Sequence, residues 1–361
     1  MFQKADGANY APEGKSNPVC ATGEFPFAAV GLDHGHIYGM CNGLLEAGGE
    51  LKWVWDPDPE KVEAFVNRFP GVHAARSETE VLEDPAVKLV AGAAVPADRC
   101  ALGIRVMDHD KDYFCDKTPL TTLEQLEKAK RKTEETGKKY AVYYSERLHV
   151  ESAVFAGQLV EQGAVGRVLQ VLGTGPHRIG RVRPDWFWEK DRFGGILCDI
   201  GSHQIEQFLY FSGAQDARVV HSQVANHHHG DHPNFEDFGD AVLVGDNGAT
   251  SYFRVDWFTP DGLPVWGDGR LTILGTDGYI ELRKYLDICR DDEGDQVYLV
   301  NHEGMQHFSV RGKVGYPFFG QLIRDCLDRT ETAMTQEHAF KAVELAVRAQ
   351  EMATVIEERF G

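Results

Sequence analysis

The sequence predicts an α/β protein: an N-terminal doubly wound parallel sheet, then an α+β domain with a large, mostly antiparallel open sheet. Three observations predict it. From Phe27 to Tyr144 short apolar runs alternate with helix-period segments. After about residue 145 the rhythm changes to successive β-like runs joined by turn signals. The 361 residues exceed one ordinary hydrophobic core and point to about two domains. The boundaries read as an arm over 1–24, a first domain over 25–145 and a second over 146–361.

Phe27–Gly31 reads as a strand and Gly35–Gly48 as a helix that closes on glycine. Leu51–Asp56 is the next strand, and Pro59–Phe69 a helix with Val62, Phe65, Val66 and Phe69 on one face. Val87–Ala91, Asp112–Asp116 and Lys139–Tyr144 are strands. They alternate with helices over Arg99–His109 and Thr121–Gly137, the spacing of parallel βαβ units. In the second half, His149–Gln162 and Ile200–Phe211 read as helices. Val168–Thr174, Val219–Asn226, Ala241–Gly245, Thr250–Phe258, Leu271–Leu274 and Tyr279–Leu282 read as strands. Asp246-Asn247-Gly248 and Asp277-Gly278 supply hairpin turns. Glu337–Glu358 reads as one amphipathic helix, expected near the domain junction, with Phe340, Val343, Val347, Met352 and Val355 on its apolar face.

Composition bounds the function. Hydrophobic residues at 42% indicate a globular chain, and no apolar run approaches the roughly 20 residues of a membrane helix. The formal charge of −19 repels nucleic-acid phosphates and anionic lipid, so neither is expected as a partner. The seven cysteines form no C-x-x-C pair and several lie in apolar runs, the pattern of buried, reduced thiols in a cytoplasmic protein. Met1–Glu24 is polar and lacks the apolar middle of a secretory signal. It reads as a free tail, unless something such as a neighbouring subunit holds it.

The first strand feeds a helix through Gly31-Leu32-Asp33-His34-Gly35-His36. A helix N-terminus in such a turn faces a pyrophosphate, because its N–H groups and dipole favour negative charge. The dinucleotide fingerprint G-x-G-x-x-G is incomplete: Asp33 and His36 stand in the second and third glycine slots. Asp56 ends the second strand, where a carboxylate accepts from adenosine ribose hydroxyls and repels a 2′-phosphate. Pro57-Asp58-Pro59 offers no arginine in compensation, so the expected cofactor is NAD rather than NADP. Asp33 is expected to cap the first helix, turned away from phosphate. The candidate cofactor set is Gly31, Leu32, Asp33, His34, Gly35, His36, Asp56, Val95, Pro96, Asp116 and Lys117, a Rossmann-type arrangement.

Two further segments carry chemistry. Asp116-Lys117-Thr118-Pro119 follows a first-domain strand, and ligands gather at the carboxyl ends of parallel strands. Gly194-Gly195-Ile196-Leu197-Cys198-Asp199-Ile200-Gly201-Ser202-His203 sets Asp199 and His203 four apart, on one face if the segment is helical. With Gly275-Thr276-Asp277-Gly278 and the glycine turn, these residues resemble the glucose–fructose oxidoreductase, inositol dehydrogenase and rhizopine-catabolism (Gfo/Idh/MocA) family over nearly the whole chain from Phe25. Asp116-Lys117-Thr118 departs from the family's Glu-Lys-Pro but keeps the lysine, and the glycine fingerprint departs too.

The resemblance implies hydride transfer between nicotinamide and a secondary alcohol carbon of a sugar or polyol, pyranose C3 among the forms. Lys117, Asp199 and His203 are then the expected catalytic residues. His203 takes the hydroxyl proton, Lys117 stabilises alkoxide charge, and Asp199 binds the neighbouring hydroxyl or orients His203. His177, Arg181, Trp186, Trp188, Asp199 and His203 form the expected substrate set, with aromatic faces for sugar C–H faces. Arg183 can bind hydroxyls alongside His177 and Arg181, and Tyr143, Tyr144 and Arg147 are weaker candidates. The expected partners are a small sugar, glycoside or polyol and further copies of this chain, as a homodimer or higher homo-oligomer through the second-domain sheet. No metal is expected. His227-His228-His229-Gly230-Asp231-His232 has ligand residues but loop geometry, and instead lines the sugar pocket. Two rival functions remain: an NAD-dependent glycosidase acting by transient oxidation and elimination, and a non-catalytic NAD or sugar sensor.

Overall fold

The computed structural model describes residues 10–180 and 182–356, and the chain divides into two compact units. The first runs to Tyr143 and takes in Tyr316–Phe340; the second comprises Tyr144–Gly315 and the chain from Lys341. Both sheets follow the predicted α/β plan.

In the first unit the elements are β1 (Pro26–Val30), α1 (His36–Glu46), β2 (Glu50–Trp55), α2 (Pro59–Arg68), β3 (His73–Ala74), α3 (Glu78–Glu83), β4 (Leu89–Gly92), α4 (Pro96–Asp108), β5 (Asp112–Asp116), α5 (Leu123–Thr136) and β6 (Tyr140–Tyr143). The six strands pair in parallel in the order β3-β2-β1-β4-β5-β6. The chain reverses direction across the sheet between β1 and β4, the position where such sheets hold their ligands. β1, β4 and β5 are buried along their whole length, as a parallel sheet covered on both faces requires. Asp58, Ser77 and Thr122 cap α2, α3 and α5 with their side chains, whereas Gly35 and Val95, the N-cap residues of α1 and α4, make no side-chain cap bond.

In the second unit come α6 (Ser145–Leu148), α7 (Glu151–Glu161), β7 (Val168–Pro176), a 3₁₀ turn (Asp185–Trp188), α8 (Lys190–Phe193), α9 (Ile196–Asp199) and α10 (Gly201–Ser212). Then follow β8 (Ala217–Ala225), β9 (Phe238–Gly245), β10 (Thr250–Asp256), β11 (Arg270–Gly275), β12 (Gly278–Arg283), β13 (Gln296–Asn301) and β14 (Gly304–Ser309). The sheet order is β14-β13-β12-β11-β7-β10-β9-β8-β15, with β15 at Thr354–Val355. It is mixed rather than purely antiparallel: β7 runs parallel to β10, and β15 to β8. α11 (Pro317–Asp328) belongs to the first unit, where Phe318 and Phe319 pack against Phe114 and Phe319 against Tyr143.

Two expectations need correction. The final helix, α12 (Gln336–Met352), stops six residues short of Glu358, because its apolar face ends: Met352 is 57% exposed and Val355 64%. The chain beyond it instead pairs with the edge of β8. Residues 10–24, the described part of the arm, are no free tail. Asn17 and Val19 donate to the carbonyls of Glu46 and Ala47 at 2.8 and 2.9 Å, and Asn42 donates to Pro12. Residues 10–24 are thus fastened within their own unit. All seven cysteines are unpaired, but Cys289 is exposed and Cys20 half-buried rather than cored.

Candidate functional site

The turn after β1 is built on Gly31, whose φ of +75° only glycine adopts without strain and whose Cβ would come within 2.9 Å of Ala94. The next residues are tied down by backbone bonds. Leu32 N–H donates to Asp56 Oδ2 at 2.6 Å, and Asp58 N–H to Asp56 Oδ1 at 2.9 Å. Asp56 therefore shapes the turn, while its remaining lone pairs stay available for ribose hydroxyls.

Asp33 does not cap α1. One oxygen accepts from Lys61 Nζ at 2.6 Å, and the other from Val95 N–H at 3.2 Å, at the start of α4. The reason is geometric: the turn aims this carboxylate at the neighbouring uncapped helix and at a lysine. Lys61 also lies 3.8 Å from Asp56. Sequence reasoning missed it, because it looked for a cation immediately after Asp56 rather than one helical turn later. This cation beside the ribose-side carboxylate weakens the argument against a 2′-phosphate.

Behind the turn lies a buried charge cluster. Asp116, at the end of β5, is fully buried and takes bonds from His36 Nδ1 at 2.9 Å and Arg99 Nη2 at 3.1 Å. His34 Nδ1 lies 3.3 Å from its other side. Burial alone would raise the Asp116 carboxyl, but His36, Arg99 and His34 outweigh it and hold it well below the carboxylate range. Burial and His36 push His34 down, so it is neutral at pH 7 and its Nδ1 accepts from His36 N–H at 3.2 Å. His34, His36 and Asp116 bring three ligand-type atoms within 4.8 Å, but the carboxylate is already engaged by Arg99.

Arg99 is the second residue that sequence reasoning missed, read there only as a helix start. Its side chain is wholly buried and holds the carbonyls of Ala94, Asp116, Lys117 and Thr118. It fixes the backbone on which Lys117 stands. Lys117 itself is 3% exposed, and the Lys117–Thr118 peptide is cis.

In the second unit Gly194 and Gly195 both adopt positive φ, +93° and +89°, and a Cβ on Gly195 would collide with Gln350 at 2.3 Å. This double-glycine turn launches α9, and Ile200 keeps helical dihedrals into α10. Asp199 ends α9 and His203 lies in the first turn of α10, both buried. Tyr144 meets the His203 ring edge-on at 6.2 Å. His177, just past β7, is buried between Trp266 and Trp257, with ring centroids 4.5 and 5.5 Å away. Glu146 and Lys284, which the sequence reading did not select, form a buried ion pair beside it.

Trp186 and Trp188 fall in a different aromatic group. Trp188 stacks flat on His232 at 3.8 Å and also meets Phe235. It reaches His177 only indirectly, through Phe187 and Trp257. The histidine run is tied down rather than convergent: Asp237 accepts from the backbone of His227 and His228 and from His229 Nδ1. Of the weaker candidates, Arg147 pairs with Glu206 inside the second unit, and Arg183 lies over Trp257 at 5.2 Å. Arg181 lies outside the described residues.

Comparison with known proteins gives the same reading of both halves. Residues 28–144 match the oxidoreductase family model described as an NAD-binding Rossmann fold. Residues 154–281 match the GFO/IDH/MocA C-terminal domain. The NAD(+)-dependent scyllo-inositol 2-dehydrogenase of Bacillus subtilis (strain 168) is 25% identical over 260 residues, 70% of this chain and 72% of the relative. The NADP(+)-dependent scyllo-inositol 2-dehydrogenase of the same organism is 25% identical over 161 residues, 44% of each chain. A crystal structure from Erwinia carotovora atroseptica SCRI1043 is 56% identical, covers 92% of this chain and 100% of its own, and superposes with a TM-score of 0.90. Among the described residues no helix is long and apolar enough to cross a membrane.

Proposed function

The chain belongs to the Gfo/Idh/MocA family of NAD(P)-binding oxidoreductases, and from that premise we propose that it oxidises a secondary hydroxyl of a sugar, glycoside or cyclic polyol, pyranose C3 being one form, with NAD as the partner. The observation that carries the reading is the joint retention of Lys117, Asp199 and His203, each nearly buried on a tightly fixed backbone. A sensor needs no such set, and nothing favours the glycosidase rival over simple oxidation.

The close approach at Gly31 and the Asp56 carboxylate fit a dinucleotide at the start of α1. Val95 and Pro96 at the start of α4 and Asp116-Lys117 after β5 would complete its cradle. When bound, that group supplies the hydride acceptor. The chain supplies the rest. His203 accepts the hydroxyl proton, Lys117 donates a hydrogen bond to the same oxygen as its charge develops, and Asp199 holds the adjacent hydroxyl or orients the imidazole. In the reverse direction His203 returns the proton. His177, with Arg181, Trp186 and Trp188, binds the rest of the substrate.

Self-association is assigned to the open sheet face, where Leu172, Tyr252, Leu274 and Tyr279 share one side in register and are each about 40% exposed. Light scattering should give an oligomer mass that Tyr252→Glu lowers. The functional test is reduced-nicotinamide absorbance over a panel of sugars, glycosides and inositols with NAD and NADP. Absorbance growth with a neutral polyol and NAD supports the proposal; silence across the panel favours the sensor.

A further inference from the structure

Glu146 stands on the short helix α6 and is 2% exposed. Its Oε2 accepts from Lys284 Nζ and Gln204 Nε2, each at 3.0 Å. Its Oε1 is buried, has no hydrogen-bond partner among the described residues, and faces His177 Nε2 across 3.8 Å. His177 Nδ1 lies 3.1 Å from the Gly175 carbonyl, to which it donates. Burial would raise the Glu146 carboxyl, but Lys284, His203 and His177 outweigh it and hold it at about 2, so it is ionised at any working pH.

Two more buried polar atoms near His177 also lack partners. Trp257 Nε1 is a donor on the ring that meets the His177 imidazole edge-on. Thr259 Oγ1 is a donor and acceptor on the residue whose N–H bonds to the His177 carbonyl at 3.2 Å. Folded proteins leave few buried polar atoms unpaired, and each instance calls for a reason. A charged acceptor and an indole donor beside one imidazole, with a hydroxyl on the residue bonded to its backbone, match a ligand carrying several hydroxyls, since each hydroxyl both gives and accepts. Trp257 and Trp266 add apolar faces on which ring C–H groups pack.

We propose that Glu146 is a substrate-recognition residue: with Trp257 and Thr259 around His177 it binds the non-reacting hydroxyls of a neutral polyhydroxylated ligand, and its charge turns away sugar acids and sugar phosphates. This rests on the polyol reading above and narrows it. Lys284 supplies no compensating attraction for an anion, because Glu146 already pairs it.

The test compares wild type with Glu146→Gln, with Glu146→Gln/Lys284→Met, which leaves no lone buried charge, and with Trp257→Phe, which removes only the donor. Calorimetry with NADH present would measure binding of scyllo-inositol, myo-inositol, methyl β-glucopyranoside and glucuronate. NADH formation from NAD is followed alongside, and thermal melts establish that each variant is folded. The expected result is a neutral polyol that binds wild type at least tenfold more tightly than glucuronate. The double variant should lose about tenfold or more in polyol affinity, with KM moving more than kcat, and Trp257→Phe about threefold to tenfold. Folded variants with wild-type affinity and selectivity would overturn the proposal, and so would a wild type that binds no neutral polyol. Weakened binding without NADH formation would sink the hydride-transfer reading and leave this one standing. NADH formation with unchanged KM in the variants would do the reverse.

Discussion

Two buried charge clusters, one in each unit, have been treated differently by the fold. Around Asp116 all three Arg99 nitrogens are spent on backbone carbonyls and a carboxylate, and that carboxylate is shared with two histidines. Beside His177 a Glu146 carboxylate oxygen, the Trp257 indole N–H and the Thr259 hydroxyl have no hydrogen-bond partner among the described residues. A polar network satisfied internally rigidifies its backbone; one left partly open calls for a reason, which the proposed ligand supplies. The first cluster positions Lys117, and the second reads a ligand.

The contrast can be broken in several ways. Arg99→Met should have the largest effect on folding, about 3–5 kcal/mol, because it leaves Asp116 buried beside the cut-off carbonyls. A melt within a degree or two of wild type would show that the first cluster is not self-supporting.

The next effect depends on pH. Burial, outweighing the bond from Ser152 N–H, lifts the Asp295 carboxyl to about 6. A raised carboxyl favours folding while protonated, so its contribution is complete below about 4 and is lost as pH rises through about 6. Asp295→Asn keeps an oxygen for Ser152 and tolerates the local φ of +58°. It should therefore stabilise the protein by about 1–2 kcal/mol at pH 8 and by almost nothing at pH 4. Glu146, held at about 2, has the opposite sign: its contribution is present above the unfolded carboxyl value and fades as pH falls toward about 2. A pH series of melts on wild type and Asp295→Asn separates the two, and a difference that grows toward acid would contradict this account.

The smallest effect is at Lys61, whose half-buried ion pair with Asp33 is worth about 1 kcal/mol to stability. Lys61→Ala should leave NAD affinity within about threefold and weaken NADP more, read as a shift in the ratio of their dissociation constants. An unchanged ratio would remove Lys61 from the ribose end of the site.

Much of this was legible before any coordinates. The strand–helix alternation placed β1, β2, β4, β5 and β6, because each carries its own apolar run. Their order came with the topology. β14 escaped because nearly all its side chains are exposed and leave no alternation to read. β3 escaped at two residues. β13 and α11 carry readable patterns in a stretch that the reading left unassigned. In the site, glycines and the Lys, Asp and His motifs announce themselves by spacing. Arg99 and Glu146 do not, since their work depends on partners 17 to 138 residues away that only the fold assembles. Asp33 was misassigned for the same reason: its partners are Lys61 and the Val95 N–H just before α4, not the helix that follows it.

The most direct measurement is NADH formation from NAD and a neutral polyol by wild type, Lys117→Ala and His203→Ala, with each variant's NADH affinity measured alongside. The account predicts steady turnover by wild type and a loss of about a hundredfold or more in each variant, with His203→Ala still binding NADH. Wild-type turnover in both variants would contradict it.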